Sequence, residues 1–166
     1  MASAAQLDQH PQFMRAAVTE SAANTFTQAE IACPTPVAVS QNQVQVMEIL
    51  KVTIEFNPGD RLAADEVQIM LSLHSQTGMQ LVDGSGVICK VHEVSFVGAA
   101  GQIDVRVLAE FDVTDGAGKG IIHPSNRLYF GILGTSQTNP LWARAMIMYR
   151  MTRVKALELA GQALVA

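Results

Sequence analysis

From residue 43 onwards, apolar and polar residues alternate along much of the chain, which predicts β-strands with one buried face. The first strand spans residues 43–56 and stops at the turn signal Asn57-Pro58-Gly59-Asp60. Glu48 interrupts its apolar face and indicates a β-bulge. The apolar positions of this strand share one parity and are Val44, Val46, Leu50, Val52, Ile54 and Phe56.

The clearest alternation lies between residues 102 and 113 and is typical of a half-buried antiparallel strand. Leu108 is the only apolar residue on its polar face. Apolar runs at 67–73, 87–97 and 128–133 predict further strands, with turns at 83–86 and 134–140 between the elements. The apolar face of the clearest strand consists of Ile103, Val105, Val107, Ala109, Phe111 and Val113.

The stretch 141–155 admits two interpretations. Asn139 and Pro140 resemble the cap and first position of a helix. However, the charged residues would scatter around a helix, whereas a strand gives an unbroken apolar face, so we expect a long strand. Residues 156–166 suit a short helix or a segment that folds back. The apolar face of the strand would consist of Leu141, Ala143, Ala145, Ile147, Tyr149 and Met151.

Residues 1–42 lack this alternation and are rich in Ala, Gln, Thr and Ser. Their composition predicts a short helix around residues 13–23 and, at Pro34 and Pro36, an extended chain. We therefore expect an N-terminal arm at 1–42 and a folded domain at 43–166. The arm carries scattered large apolar residues, and we take Phe13, Phe26 and Ile31 as candidates for contacts with another subunit.

The chain has 166 residues, which suits one domain. Its many strands, long loops and little helix predict an all-β fold. The expected architecture is an antiparallel β-sandwich, specifically a jelly roll, with an extended N-terminal arm.

Charged residues make up 16% of the chain, against about 25% in average soluble domains. The surface is therefore either polar without charge, or apolar and covered by another subunit. A net charge of −4 argues against general nucleic-acid binding, which requires clustered Lys and Arg. The sequence has neither the features of a signal peptide nor an apolar run long enough to form a transmembrane segment.

Residues 115–120, Asp-Gly-Ala-Gly-Lys-Gly, are the motif most suggestive of chemistry. A phosphate-binding loop needs Ser or Thr after the lysine and a following helix, and both are missing, so a hairpin loop is favoured. The histidines and the cysteines Cys33 and Cys89 have no metal-ligand spacing, and free thiols are favoured over a bridge. We therefore expect no catalytic, cofactor-binding or metal site. Trp142 suits either the core or a subunit interface.

The arm, the strand parities from Val44 to Met151 and the turns at 57–60, 83–86 and 134–140 together resemble the single jelly-roll coat proteins of small icosahedral viruses. This resemblance in architecture implies a structural, self-assembling, non-enzymatic capsid subunit located in the virion and assembled in the host cytoplasm. Its partners would be copies of itself and other coat proteins.

The arm departs from this family in one respect. Genome-binding arms are usually rich in Arg and Lys, but residues 1–42 contain only Arg15 as a basic residue. The arm should therefore bind protein rather than nucleic acid. The alternative function is a small ligand-binding or carbohydrate-binding β-sandwich module, although the aromatic content of 5% is low for such a module.

Overall fold

The computed structural model describes residues 10–57, 65–81, 84, 86–94 and 107–157, except for the side chain of Val107. Within them the chain forms ten β-strands. These are β1 (Gln12–Thr19), β2 (Thr27–Ala32), β3 (Val37–Ser40), β4 (Gln43–Phe56), β5 (Glu66–Ser72), β6 (Val87–Val94), β7 (Val107–Asp112), β8 (Ile121–His123), β9 (Arg127–Thr135) and β10 (Trp142–Lys155).

The strands form two antiparallel sheets that pack face to face. In the first, called sheet A, β1 pairs with β10 and β10 with β4, while β3, β8 and β7 lie in succession along the far edge of β4. The second, sheet B, has the order β2-β9-β5-β6. Counting only the eight strands of six residues or more, the orders are 1-8-3-6 and 2-7-4-5. This is a jelly roll, so the predicted fold class is confirmed.

The core lies between the sheets and is made by the inward-facing residues of both. Each fully buried side chain of this size contributes about 1.5–3 kcal/mol. The largest are Phe56, Phe130, Met47, Ile49, Ile54, Ile69, Met70, Leu71, Leu128, Ile132, Leu141 and Ile147.

Strand β4 changes its inward parity at Leu50. Lys51 pairs with Met148 and Ile49 with Tyr149, so Leu50 is an extra residue relative to β10. Core residues are therefore odd-numbered before this bulge and even-numbered after it. The single parity expected for β4 is wrong for its first half. A bulge does occur in this strand, two residues beyond Glu48, and Glu48 itself is buried beside it.

The long final strand is confirmed. All eight residues of β1 pair with β10, and β10 in turn pairs with the whole length of β4. Ala143, Ala145, Ile147 and Tyr149 face the core, as the alternation predicted. Pairing on both edges stabilises this segment as a strand despite its helix-favouring residues.

The N-terminal region differs most from expectation. The predicted helix at 13–23 is wrong, because residues 12–19 form β1 and pair completely with β10. Strand β2 pairs with β9, and β3 pairs with the start of β4. Residues 12–40 are thus part of both sheets rather than an arm outside them. Residues 1–9, the first residues of the clearest predicted strand and the segment 158–166 lie outside the described residues.

The loop at 115–120 is not a hairpin. Strands β7 and β8 both run antiparallel to β4 and pair with successive parts of the same edge. The chain therefore leaves this edge after Asp112 and rejoins it at Ile121. None of the helical segments among the described residues is long and apolar enough to cross a membrane.

Candidate functional site

The outward face of sheet A carries ordered rows of side chains across β1, β10, β4 and β7. One row is formed by Ala17, Arg144, Glu55 and Leu108, which are consecutive partners in the strand register. The next row is formed by Arg15, Met146, Thr53 and Glu110. This arrangement follows directly from the period-two pattern, because alternate residues of each strand share a face.

This face exposes large apolar side chains among its charges. Phe13 is 59% exposed, Leu108 61% and Met146 40%. Phe13 and Leu108 lie on the two edge strands, and Met146 lies between them on β10. Single exposed apolar residues are common, but several on one sheet face indicate a surface suited to a partner.

A groove of about 510 Å³ runs across the same face. The small outward-facing Ala17 of β1 leaves room for it, and charged and apolar side chains border it. Its shape and lining favour binding by ion pairs and apolar contact. The groove is lined by Arg15, Ala16, Ala17, Thr53, Glu55, Leu108, Arg144, Ala145 and Met146.

Two charged contacts organise this surface. The Arg144 guanidinium lies 5.0 Å from the centre of the Trp142 ring, a cation–π contact between neighbours on the outward face of β10. Lys51 Nζ lies 2.9 Å from a carboxylate oxygen of Glu110, and both side chains are substantially exposed. Such a pair contributes at most about 1 kcal/mol, so the Glu110 carboxylate can accept a further cation.

The glycine loop at 115–120 is closed by its own residues. The Asp115 carboxylate accepts hydrogen bonds from the amides of Ala117 at 2.9 Å and Lys119 at 3.0 Å. The Lys119 and Ala117 amides lower the pKa of Asp115. An internal carboxylate therefore occupies the backbone donors that a phosphate would need.

The loop is also anchored to the sheet by Glu48 and Arg150. Glu48 accepts two hydrogen bonds from Arg150, at 2.7 and 2.9 Å, and one from the Gly120 amide at 2.8 Å. Burial raises the pKa of Glu48, but these hydrogen bonds outweigh it and lower the pKa below its ordinary value. A Cβ at Gly120 would collide with the Ile49 carbonyl, which explains glycine there.

The four interface candidates from the sequence lie in different places. Phe13 and Trp142 both belong to the outward face of sheet A. Phe26 packs over Gly131 on the outward face of sheet B, where any side chain on Gly131 would meet its ring. Ile31 is 7% exposed and lies in the core, so it offers little surface to a partner.

Sequence reasoning missed Glu20, which is buried at the end of β1. Its carboxylate accepts hydrogen bonds from the amides of Gly134 at 2.6 Å and Leu141 at 2.9 Å. It thereby holds the connection between β9 and β10 against the N-terminal region. A lone glutamate in a polar segment carries no signal of such a role.

The thiols and histidines give no sign of chemistry. Cys33 and Cys89 are free, and burial raises their pKa values to about 11 and about 12, which disfavours the reactive thiolate form. His123 is buried and its Nε2 lies 2.8 Å from the Arg127 carbonyl oxygen. In the part of the chain that the structure describes, no group of three or more His, Cys, Asp or Glu residues could hold a metal ion.

Comparison with known proteins supplies structural relatives only. No family model and no curated protein matches the sequence. The fold is similar to the human polyomavirus 7 VP1 pentamer, with a TM-score of 0.56, 9% identity and coverage of 87% of this chain and 96% of that one. It is also similar to Merkel cell polyomavirus VP1 in complex with GD1a oligosaccharide, with a TM-score of 0.53, 8% identity and coverage of 89% and 96%.

A third similar structure is human polyomavirus 12 VP1 in complex with 3'-sialyllactosamine, with a TM-score of 0.51, 8% identity and coverage of 88% and 100%. At such identities the likeness establishes the fold alone. The chain has a capsid-like jelly-roll fold, and the resemblance to viral coat proteins in architecture is confirmed.

Proposed function

We propose that this protein is a structural coat subunit that assembles with copies of itself into an icosahedral viral shell and has no catalytic role. The observation that carries the proposal is the capsid-like jelly roll, which is similar over 87–89% of the chain to VP1 proteins, one of them described as a pentamer. The protein would be located in the virion and assembled in the host cytoplasm.

The composition of the surface supports self-association. The chain is low in charge, and sheet A exposes Phe13, Leu108 and Met146 beside a groove. Burying one such side chain contributes about 1.5–3 kcal/mol, which is small against the entropy lost on association. A symmetric assembly repeats the contact in every subunit, so modest interfaces can close a shell.

The N-terminal region would contribute to these contacts mainly through Phe13. The segment before β2 carries one basic residue, Arg15, and the whole chain has a net charge of −4. We therefore expect weak binding to non-specific DNA or RNA at physiological salt. The genome would be held by another protein or enclosed in another way, and other coat proteins remain candidate partners.

The test is the state of the purified protein. Size-exclusion chromatography with light scattering, followed by negative-stain imaging, should show closed particles or rings far above the 17.8 kDa monomer. Phe13→Ser should reduce assembly, whereas Val39→Ser, at an exposed residue on β3, should leave it closer to wild type. A monomer across wide ranges of concentration and salt would refute the proposal.

A second candidate is a carbohydrate-binding module. The groove on sheet A places Arg15 and Arg144 beside apolar side chains, and two similar structures are described in complex with oligosaccharides. Saturation-transfer NMR with a panel of neutral and acidic oligosaccharides would test it. Binding by a protein that stays monomeric would favour this function over the coat subunit.

A further inference from the structure

Sheet A has two edges that run in opposite directions. Strand β1 pairs with β10 on one side, and β7 pairs with β4 on the other. Three successive antiparallel pairings, β1–β10, β10–β4 and β4–β7, connect these edge strands, so β1 and β7 are antiparallel to each other. Neither strand has a second partner among the residues that the structure describes. Within the described part of the chain, each edge therefore presents backbone groups without a strand partner, which can accept another strand.

The register across the sheet relates these two edges. The row that contains Arg15 on β1 passes through Met146 and Thr53 and reaches Glu110 on β7. If the sheet continued without a shift into a second copy, Glu110 of one copy would face Arg15 of the next. The edges are thus complementary in charge as well as in strand direction.

We infer that sheet A continues from one protomer into a second copy of this chain, with β7 of one pairing antiparallel with β1 of the next. This inference rests on the proposed self-assembly and specifies the contact between neighbouring subunits. Residues 107–112 would pair with residues 18–13, which uses every residue of β7. Opposite pairs would then include Glu110 with Arg15 and Leu108 with Ala17.

The side chains at this junction suit such a pairing. Leu108 breaks the polar face of β7 and is 61% exposed, while its partner would be the small exposed Ala17 of β1. Arg15 is exposed, and among the described residues Glu110 forms an ion pair with the partly exposed Lys51. A neighbouring arginine would bind the same carboxylate, and Leu108 would be covered by the added strand.

Pairing of β1 with β1 of a second copy is the less favourable alternative. Suppose that a two-fold axis relates the two copies and that their outward faces lie on the same side of the joint sheet. The two Arg15 side chains would then lie directly or diagonally opposite each other. Like charges in those positions are destabilising. The β7–β1 contact is instead heterologous, so it generates a ring if it closes and a chain of subunits if it does not.

A cysteine pair tests the contact directly. Within one chain, residues 17 and 108 are three strand spacings apart, about 14 Å, which is too far for a disulfide. Ala17→Cys with Leu108→Cys can therefore be oxidised only between chains. We expect a ladder of covalent dimers, trimers and larger species on a non-reducing gel, whereas wild type and each single variant should give no ladder.

Charge exchange tests the same contact independently of the disulfide. Arg15→Glu alone and Glu110→Arg alone should each reduce the assembled fraction at least tenfold, and the double exchange should restore most of it. Restored assembly in the double exchange distinguishes the β7–β1 contact from β1–β1 pairing. In β1–β1 pairing the double variant would assemble no differently from Arg15→Glu alone. Lys155→Glu and Glu30→Arg are matched controls, because Lys155 is exposed and Glu30 is an exposed residue paired with Arg127.

The outcomes distinguish this inference from the proposed function. Three results together support both the coat function and the β7–β1 contact. They are particles formed by the wild type, a ladder formed by the double cysteine variant, and restored assembly in the double charge exchange. Wild-type particles without a ladder, or without restoration in the double exchange, overturn the β7–β1 contact and leave the coat function standing. A wild-type protein that stays monomeric overturns both. Circular dichroism of each variant verifies that the sandwich is folded.

Discussion

Glu48 and Arg150 lie directly opposite each other on β4 and β10, and their side chains form a two-point ion pair. The pair stands beside the Leu50 bulge, and Arg150 also donates to the Gly118 carbonyl at 3.0 Å. One charged contact thus joins the two longest strands and the glycine loop. Glu48 is only 3% exposed, so its charge depends on these partners.

We expect Arg150→Met to lower the free energy of unfolding by roughly 2–3 kcal/mol. Breaking a fully buried pair typically costs about 3–5 kcal/mol, and the side chain of Arg150 is partly exposed. Urea denaturation followed by circular dichroism would measure the change. Glu48→Met with Arg150→Met should recover part of the loss, since no unpaired charge remains. Equal losses in Arg150→Met and in the control Lys155→Met would contradict this role.

His123 should make stability fall as the pH drops below its ordinary pKa of 6.5. Burial lowers its pKa in the folded protein, although the Arg127 carbonyl acts in the opposite direction. The unfolded chain therefore binds the proton more readily, and stability is lost from about pH 6.5 down to the folded pKa. Urea denaturation at pH 7.5 and 5.5 should show this loss. His123→Gln should reduce the difference, and an unchanged difference would exclude His123 as its source.

Glu20→Ala should destabilise the protein by about 1–3 kcal/mol per unsatisfied buried amide, since the amides of Gly134 and Leu141 would lose their acceptor. Thermal and urea unfolding would measure it. Glu30→Ala is the control, because Glu30 is exposed and its contact with Arg127 is weak. If both variants were equally stable, the carboxylate of Glu20 would not hold the 134–141 connection.

The N-terminal segment offers a test of the domain boundary. The alternation of the sequence predicts that a fragment starting at Gln41 folds by itself, whereas the sheet pairings predict that it does not. Removing β1 and β2 deletes the core residues Val18 and Ile31 and exposes β10 and β9. We expect the fragment to lose cooperative unfolding, as measured by circular dichroism during urea denaturation.

Two alanine substitutions separate folding from assembly in the same segment. Ile31→Ala should cost about 2–4 kcal/mol, because it leaves a cavity in the core. Phe13→Ala should change stability by less than about 0.5 kcal/mol, because Phe13 is exposed, and should act on particle formation instead. If the fragment that starts at Gln41 folded stably and cooperatively, the domain boundary predicted at residue 42 would be correct after all.

Much of the fold was predictable from local pattern. Wherever one face of a strand is buried and the other solvated, the sequence must alternate, and β7 and β10 were found in this way. Strands β5, β6 and β9 were found from their apolar runs. Leu108 also stood out as the apolar residue on a polar face, and it proves to be among the most exposed large apolar residues. The groove was not predictable, because it depends on which strands become neighbours.

The sequence by itself determined the all-β class, the position of most strands and the inward face of β10, because these depend on residues two apart. Only the tertiary structure decided that residues 12–19 form a strand, since their pairing partner lies about 130 positions away in β10. It also decided the change of parity at Leu50, because a bulge is defined by the neighbouring strand. Long-range pairing outweighs local propensity at such places, and no short window of sequence contains the partner.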